Sequence, residues 1–401
     1  MPVEAATHKS CEQSLDKLLS YCRKQSWMGY DPYDALTSPL ARAIGKSGKL
    51  ARTIMIQAVK RAPINLRPLL GIKKDLNPKA IALFARAVAL LTKRSGIALN
   101  PSRMNSAEDL KRDFDFLMET LGKLRSNQHE QACWGYNFDW QSRAFFAPRG
   151  TPNVVCTVFA AQAFLDWFDA SENERALDMA KSSARFLLDA LNRAKSPEGH
   201  CFSYTPLDHS RVHNVNLLAA ELLARLYSIE RSSEYFEAAS RAAYYTVARQ
   251  RDDGSWPYGE ARSQQWVDSF HTGFILVSLK NIIRDLGINE WHSRLLRGYE
   301  FYGDRFFLAD STPKYYHDKL YPVDAHAAAQ AVITFVEMND VMPEASLKAT
   351  RAVEWAIREM QDTAGYFYFQ RQRFYTIKIP YIRWAQAWML YALCLYYTGV
   401  R

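Results

Sequence analysis

Three of the chain's nine histidines, His213, His271 and His326, stand at the start of three consecutive apolar segments. Two of them closely follow an aspartate, Asp268 before His271 and Asp324 before His326. Imidazole exchanges a proton near neutral pH, and a carboxylate beside it fixes the tautomer and steadies the charged form. These five residues are the candidate acid/base set. Other apolar segments open with Asp31 and Asp34, Asn77 and Lys79, Arg149 and Asn153, Arg211 and Asn214, and Arg383 and Gln386. Arg143, Arg149, Arg211 and Arg383 could grip a carboxylate or phosphate through two parallel hydrogen bonds, with salt bridging or solvation as the alternative. Asn153 and Asn214 add neutral hydrogen-bonding groups. Trp134, Tyr136, Trp140, Trp256, Tyr258, Tyr316 and Trp384, with Asp139 beside Trp140, offer flat apolar faces and polar edges on which a sugar ring could stack. Packing is the other use of such rings. Asp268, Asp324 and Asn153 also have a second use, because Asp and Asn at a helix start accept hydrogen bonds from free backbone N–H groups. The recurrence at equivalent places carries the functional reading, more than any single residue.

To bring such residues together, the fold must place segment starts that are far apart in sequence at one end of one structure. Helical periodicity dominates, and alternation of period two is nearly absent. Charged amphipathic segments near 10–25, 47–61, 106–124, 172–193, 233–250, 290–307 and 344–361 read as outer helices with one wet face. Between them, segments near 34–45, 78–92, 152–168, 212–228, 268–284, 324–337 and 381–397 read as buried helices, apolar nearly all round. With Thr151, Arg211, Asp268, Asp324 and Tyr381 opening the last five dry segments, the separations are 60, 57, 56 and 57 residues, the near-constant period of a two-helix repeat. Links such as Trp134-Gly-Tyr136, Gly254-Ser-Trp-Pro-Tyr258 and Gly365-Tyr-Phe-Tyr368 join wet to dry with a helix-stopping glycine and loop-filling aromatics. Repeats this long, with so apolar a second helix, predict two concentric rings: an all-α fold, an α/α toroid of about six to seven helical hairpins. The dry helices lie inside and their starts converge at one mouth. No linker divides the chain, so a single domain over 1–401 is expected, less regular over 1–105 and regular over 106–401.

Hydrophobic residues make up 48% of the chain and aromatics 13%, ample for a large core. The first thirty residues hold Cys11, Asp16, Arg23 and Lys24 with no long apolar run, and no charge-free apolar stretch of about 18 residues occurs. A cytoplasmic location is expected. Six scattered cysteines make no C-x-x-C pair, so neither zinc nor a disulfide framework is expected. The net charge of +9 is concentrated between Arg42 and Arg94, where Asp75 is the one acid. A solvated basic face would account for it, as would an anionic partner. No nucleic-acid motif accompanies the charge, so nucleic acid is not expected. An anionic glycan, or peripheral association with a membrane-bound biosynthetic complex through 42–94, fits the charge equally. No P-loop, dinucleotide glycine motif or His-Glu-x-x-His helix occurs, and no cofactor is expected.

The segment Gln250-Arg-Asp-Asp-Gly-Ser-Trp256 resembles the glutamine–tryptophan repeat of squalene and other terpene cyclases. The hairpin plan with Gly-x-Trp loops is similar to the wider α/α-toroid group of six-hairpin glycosidases, polysaccharide lyases, sugar epimerases and protein prenyltransferases. The segments 31–40, 134–140 and 268–274 also resemble a family associated with bacterial and archaeal polysaccharide gene clusters. The resemblance implies a carbohydrate-active enzyme in polysaccharide biosynthesis or processing, acting on a polysaccharide or oligosaccharide that the basic charge suggests is anionic. Hydrolysis would need two carboxylates flanking the bond, with Asp268 and either Asp324 or Asp139 as the pair. Elimination or epimerisation would need His or Tyr as base beside a carboxylate that Arg or Asn neutralises, and the three histidines favour this chemistry. A non-catalytic glycan-binding scaffold is the alternative. Isoprenoid chemistry fits less well: the Asp-x-Asp-Asp acid motif of the cyclases is missing, and no cysteine lies near Asp268 or His271 to complete a prenyltransferase zinc site.

Overall fold

The computed structural model describes residues 2–39, 48–94, 106–143 and 145–399. Among them are thirteen α-helices: α1 (Pro2–Lys24), α2 (Lys49–Arg61), α3 (Pro78–Arg94), α4 (Ala107–Lys123), α5 (Val154–Ser171), α6 (Glu174–Ala190), α7 (His213–Glu230), α8 (Ser233–Val247), α9 (Ser269–Leu286), α10 (His292–Arg305), α11 (Ala325–Glu337), α12 (Ala345–Met360) and α13 (Trp388–Gly399). The apolar helices α3, α5, α7, α9, α11 and α13 each pack on the next, and α13 closes back on α3. Around them stand α4, α6, α8, α10 and α12, each against the inner helix before it, while α1 lies against α12 and α13. The amino-terminal helix thus completes the last hairpin, and the result is an all-α toroid of six hairpins.

Helices without a wet stripe are stable only where neighbours cover every face. The inner helices meet that condition, and their side chains join those of the outer helices in one connected core running from Cys11 to Tyr397. Helix α5 is long and apolar enough to cross a membrane by length and composition, yet 67% of it is buried inside this ring. Four inner helices begin at side-chain caps: Asn77, Asn153, Asp268 and Asp324 accept from the backbone N–H groups of Lys79, Cys156, His271 and His326.

Two glutamines stitch outer helices together. Gln250 Nε2 donates to Gly254 O at 3.0 Å and to Arg294 O of α10 at 2.8 Å. Gln361 repeats the arrangement one ring-closure later, donating to Gly365 O at 3.0 Å and to Ser14 O of α1 at 3.2 Å. Both glycines have positive φ, +89° and +98°. An added Cβ would lie 2.5 Å from Arg297 O at Gly254 and 2.5 Å from Lys17 O at Gly365. Glycine is therefore required for conformation and for close approach alike.

Among the described residues seven short strands sit in the connections. The hairpins β1 (Trp140–Gln141) with β2 (Phe146–Ala147), and β3 (Arg193–Ser196) with β4 (Gly199–Phe202), are antiparallel. β6 (Gln370–Arg371) lies between β5 (Val323–Asp324) and β7 (Thr376–Ile377).

Of the seven wet–dry pairs expected, the first is split: its wet helix is α1, which completes the last hairpin, and its dry segment does not join the ring. Within 34–45 the described helix is a single 3-10 turn, Asp34–Thr37, and 40–45 lie outside the described residues. Here Asp34 accepts from Arg67 Nε at 2.7 Å and from the N–H of Asp31 at 2.9 Å, and this buried polar knot holds the chain in an irregular course. The segment near 47–61 is α2, which lies across the mouth rather than on the outer ring.

Gly365→Ala should lower unfolding stability by about 1–3 kcal/mol, the cost of holding a non-glycine residue in such a conformation. Urea denaturation of the full chain checks this; an unchanged midpoint would mean that the closure of α12 on α1 tolerates a side chain.

Candidate active site

The amino ends of the inner helices and the loops before them surround a cavity of about 480 Å³. On its wall, in the first turn of α9, His271 Nδ1 lies 2.7 Å from Asp268 Oδ2. Asp268 is fully buried, also accepting from Trp266 Nε1 at 2.8 Å and from the N–H of His271 at 3.0 Å. An ionised carboxylate can only accept, so Nδ1 carries the proton and Nε2 is left as the acceptor. That is the arrangement of a base oriented by a carboxylate.

His326 faces the same cavity from α11 in a different environment. Its ring is stacked between Phe270 (4.5 Å, 23°) and Trp388 (4.6 Å, 22°), with Trp384 edge-on at 4.9 Å. Neither ring nitrogen has a hydrogen-bond partner among the described residues. Burial, helped by Lys79, His271 and Arg383, pushes its pKa well below the usual histidine value, so the ring is neutral at physiological pH. Phe270 and Phe274 touch both imidazoles, with centroids 4.1 and 6.3 Å from His271 and 4.5 and 5.7 Å from His326. A base and a neutral, unsatisfied imidazole thus share one apolar wall.

The cations of the cavity differ in how far they are neutralised. Arg383 is buried and paired with Asp31 through two bonds of 2.6 and 2.8 Å. Lys79 is enclosed by the rings of Phe159, Phe274 and Trp388 at 4.8, 5.6 and 4.8 Å, and no acceptor meets its ammonium among the described residues. Burial and Arg383 push its pKa down to about 7, against the opposing pull of Cys156 and of Asp31. Lys60 of α2 donates to Tyr33 Oη at 2.8 Å. Arg61 and Arg143 line the cavity with no carboxylate partner among the described residues, and Arg143 lies over Trp266 at 4.3 Å. Burial raises the pKa of Tyr136, Tyr204, Tyr258 and Tyr315, so their hydroxyls are donors at neutral pH and not bases.

Eleven of the residues singled out in the sequence line this cavity: His271, His326, Lys79, Tyr136, Trp140, Arg143, Asn214, Tyr258, Tyr316, Arg383 and Trp384. Asp268 stands behind His271. Asp324 stands behind Trp384, accepting from its Nε1 at 2.9 Å and from Gln370 Nε2 at 2.5 Å, and burial raises its pKa. The others are not among the residues that line the cavity. Trp134 and Trp256 are core residues whose Nε1 groups donate to Leu121 O and Thr246 O. His213 is buried beside the cavity, and burial lowers its pKa to about 4. Asn153 caps α5. Asp139 accepts from the N–H of Arg149, whose side chain pairs with Asp75, and Arg211 pairs with Glu260.

Several lining residues were not among those singled out as site candidates: Tyr33, Thr53, Gln57, Lys60 and Arg61, together with Tyr204, Trp266 and Tyr315. The α2 residues were hidden because a charged helix read as part of the outer ring, although the unbroken basic run was a visible signal. Trp266, two residues before Asp268, offered a local one. Among the described residues no group of three or more His, Cys, Asp or Glu side chains comes together that could hold a metal ion.

The sequence matches no protein-family model and no curated protein. Solved structures do match. A cellobiose 2-epimerase from Bacillus thermoamylovorans superposes with a TM-score of 0.63 at 12% identity, over 80% of this chain and 87% of that one. An unsaturated glucuronyl hydrolase specific for heparin superposes with a TM-score of 0.62 at 12% identity, over 97% of this chain and 96% of that one. A family 76 α-mannanase from Bacteroides thetaiotaomicron gives 0.60 at 13% identity, over 80% and 85%. The chain shares the α/α-toroid fold of these structures, which are of carbohydrate-processing enzymes.

The depressed pKa of Lys79 has a consequence for stability. An unfolded lysine keeps its proton to about pH 10.4, so between pH 7 and 10 the unfolded chain binds more protons than the folded one. The resulting penalty is complete below about pH 7 and fades as pH rises towards 10. Lys79→Met should therefore raise the thermal midpoint at about pH 6 and raise it less at about pH 10. Equal gains at both values, by calorimetry, would show that no proton is linked to folding at this site.

Proposed function

We propose that the protein is a carbohydrate-active enzyme that removes a proton from a carbon beside a carbonyl or carboxylate of an anionic, uronate-containing oligosaccharide or chain end. The supporting observation is the composition of the cavity wall: the Asp268-backed His271, the neutral His326 and the cations Lys60, Lys79, Arg61 and Arg143, with no carboxylate among the described lining residues. Hydrolysis between two carboxylates finds little support here, since Asp268 and Asp324 are fully buried in bonds of their own and Asp139 lies outside the cavity.

In this reading Nε2 of His271 takes the proton, and the electron pair moves onto the carbonyl or carboxylate oxygen. Arg143 and Arg61, which no protein carboxylate neutralises, meet the substrate carboxylate. The N–H of neutral His326 and the tyrosine hydroxyls donate to the developing enolate oxygen. Return of a proton to the opposite face gives the epimer, whereas loss of a leaving group from the next carbon gives an unsaturated sugar. Tyr258, stacked on Trp266 at 4.5 Å, and Trp140 supply ring faces for the sugar. A cavity of about 480 Å³ suits a short unit rather than the middle of a long chain.

Incubation with neutral and uronate-containing oligosaccharides in deuterated and in heavy-oxygen water tests the reading. Deuterium without cleavage, or a new absorbing double bond, is expected with uronates. Heavy-oxygen incorporation would mean hydrolysis and overturn it. His271→Asn should reduce turnover about 10²–10⁴-fold with circular dichroism and thermal midpoint nearly unchanged; full activity in that variant would remove His271 from the mechanism.

A further inference from the structure

Helix α2 presents three faces. Ile56 and Val59 are buried against Ala35 and Leu36. Thr53, Gln57 and Lys60 face the cavity. The third face, Leu50, Ile54 and Ala58 at four-residue spacing, points to solvent, with Leu50 73% and Ile54 59% exposed. This outward apolar stripe has no packing role in the ring.

The stripe continues beyond the helix. Ile64 follows α2 and is 65% exposed. At the same end, the tip of the β6–β7 hairpin is tied to α2 by Tyr375 Oη, 3.4 Å from Arg61 O, and beside it Phe374 is 86% exposed. Of the twelve large apolar side chains exposed among the described residues, six belong to these two segments: Leu50, Ile54, Ile64, Leu69, Phe374 and Tyr375. The others, such as Phe116 on α4 and Leu347 on α12, stand singly, as exposed apolar residues commonly do.

Charge along these two segments is of one sign, although Arg371 is paired with Glu359 and the buried Arg67 with Asp34. From 48 to 74 the described chain holds Lys49, Arg52, Lys60, Arg61, Arg67, Lys73 and Lys74 and no acid, and from 370 to 379 it holds Arg371, Arg373 and Lys378 and no acid. Lys73, Lys74, Arg373 and Lys378 are exposed. Exposed apolar side chains flanked by exposed cations that outnumber the nearby carboxylates match an anionic lipid headgroup layer.

We propose that the outer face of α2 and the β6–β7 tip seat this protein on an anionic bilayer, with Leu50, Ile54, Ile64 and Phe374 entering the headgroup region. Because the face of α2 that lines the cavity adjoins the stripe, with the buried Ile56 and Val59 on the far side, seating brings the cavity mouth near the lipid surface. The proposal does not depend on the reaction assigned to the cavity.

Co-sedimentation of the full chain with vesicles tests it, comparing phosphatidylcholine alone with phosphatidylcholine containing phosphatidylglycerol. Binding to the anionic vesicles, weakened by added salt and at least about tenfold weaker in Leu50→Asp/Ile54→Asp and in Phe374→Asp, is expected. Phe116→Asp on the outer ring should bind as the parent does. Light scattering in parallel shows whether the chain self-associates. Absence of binding, equal binding to neutral vesicles, or insensitivity to the stripe substitutions would overturn the proposal. So would a dimer dissolved by those substitutions, which would make the stripe a contact between copies.

Discussion

The structure depends on a covering constraint. Six helices that are apolar on nearly every face cannot stand at a surface, so each must have inner neighbours on both sides and an outer helix behind it. A closed ring is the arrangement that satisfies all six, and the Gln361–Gly365 contact with α1 holds that closure at the chain's own ends. Some polar side chains within the inner helices pair with one another, as Arg86 of α3 does with Asp166 of α5, and others gather at the helix ends. There, capping aspartates and asparagines already satisfy free N–H groups, and the candidate acid/base residues occupy the turns that follow.

Burial then divides the roles of groups that are alike in sequence. His271 keeps a buried carboxylate at its back and an open side towards the cavity, whereas His326, pressed between Phe270 and Trp388, is held neutral. Asp268 and Asp324 occupy the same position in successive repeats, yet one orients an imidazole and the other is bound by Gln370 and Trp384. The tyrosines of the wall stay protonated because their phenolates would be desolvated. A cavity so made offers one base, several neutral donors and cations, a combination that suits proton removal beside a carboxylate better than cleavage between two acids.

Helix α2 is the exception to the ring plan and the link between cavity and surroundings. Its inner residues are anchored near the Asp34–Arg67 pair, its middle contributes Lys60 and Arg61 to the mouth, and its outer stripe remains apolar and uncovered. A helix outside the repeat is free to carry three faces because no neighbour in the ring demands a fixed one.

The alternation of wet and dry segments, the spacing between dry segments and the helix starts were determined by the sequence alone, because hydrophobic period and capping residues act locally. All six inner helices begin within a few residues of the expected positions, except that regular α13 follows a π-helical turn over Ile382–Ala387. The Asp268–His271 pair was legible for the same reason: three residues on a helix suffice to join them. Only the tertiary structure decided that the ring has six hairpins and that α2 crosses its mouth. It also decided that Trp134, Trp256 and His213 belong to the core while Lys79 and Trp266 face the cavity. Which way a side chain at a helix start points depends on neighbours hundreds of residues away, as with Arg383 on Asp31, and periodicity within one segment holds no record of them.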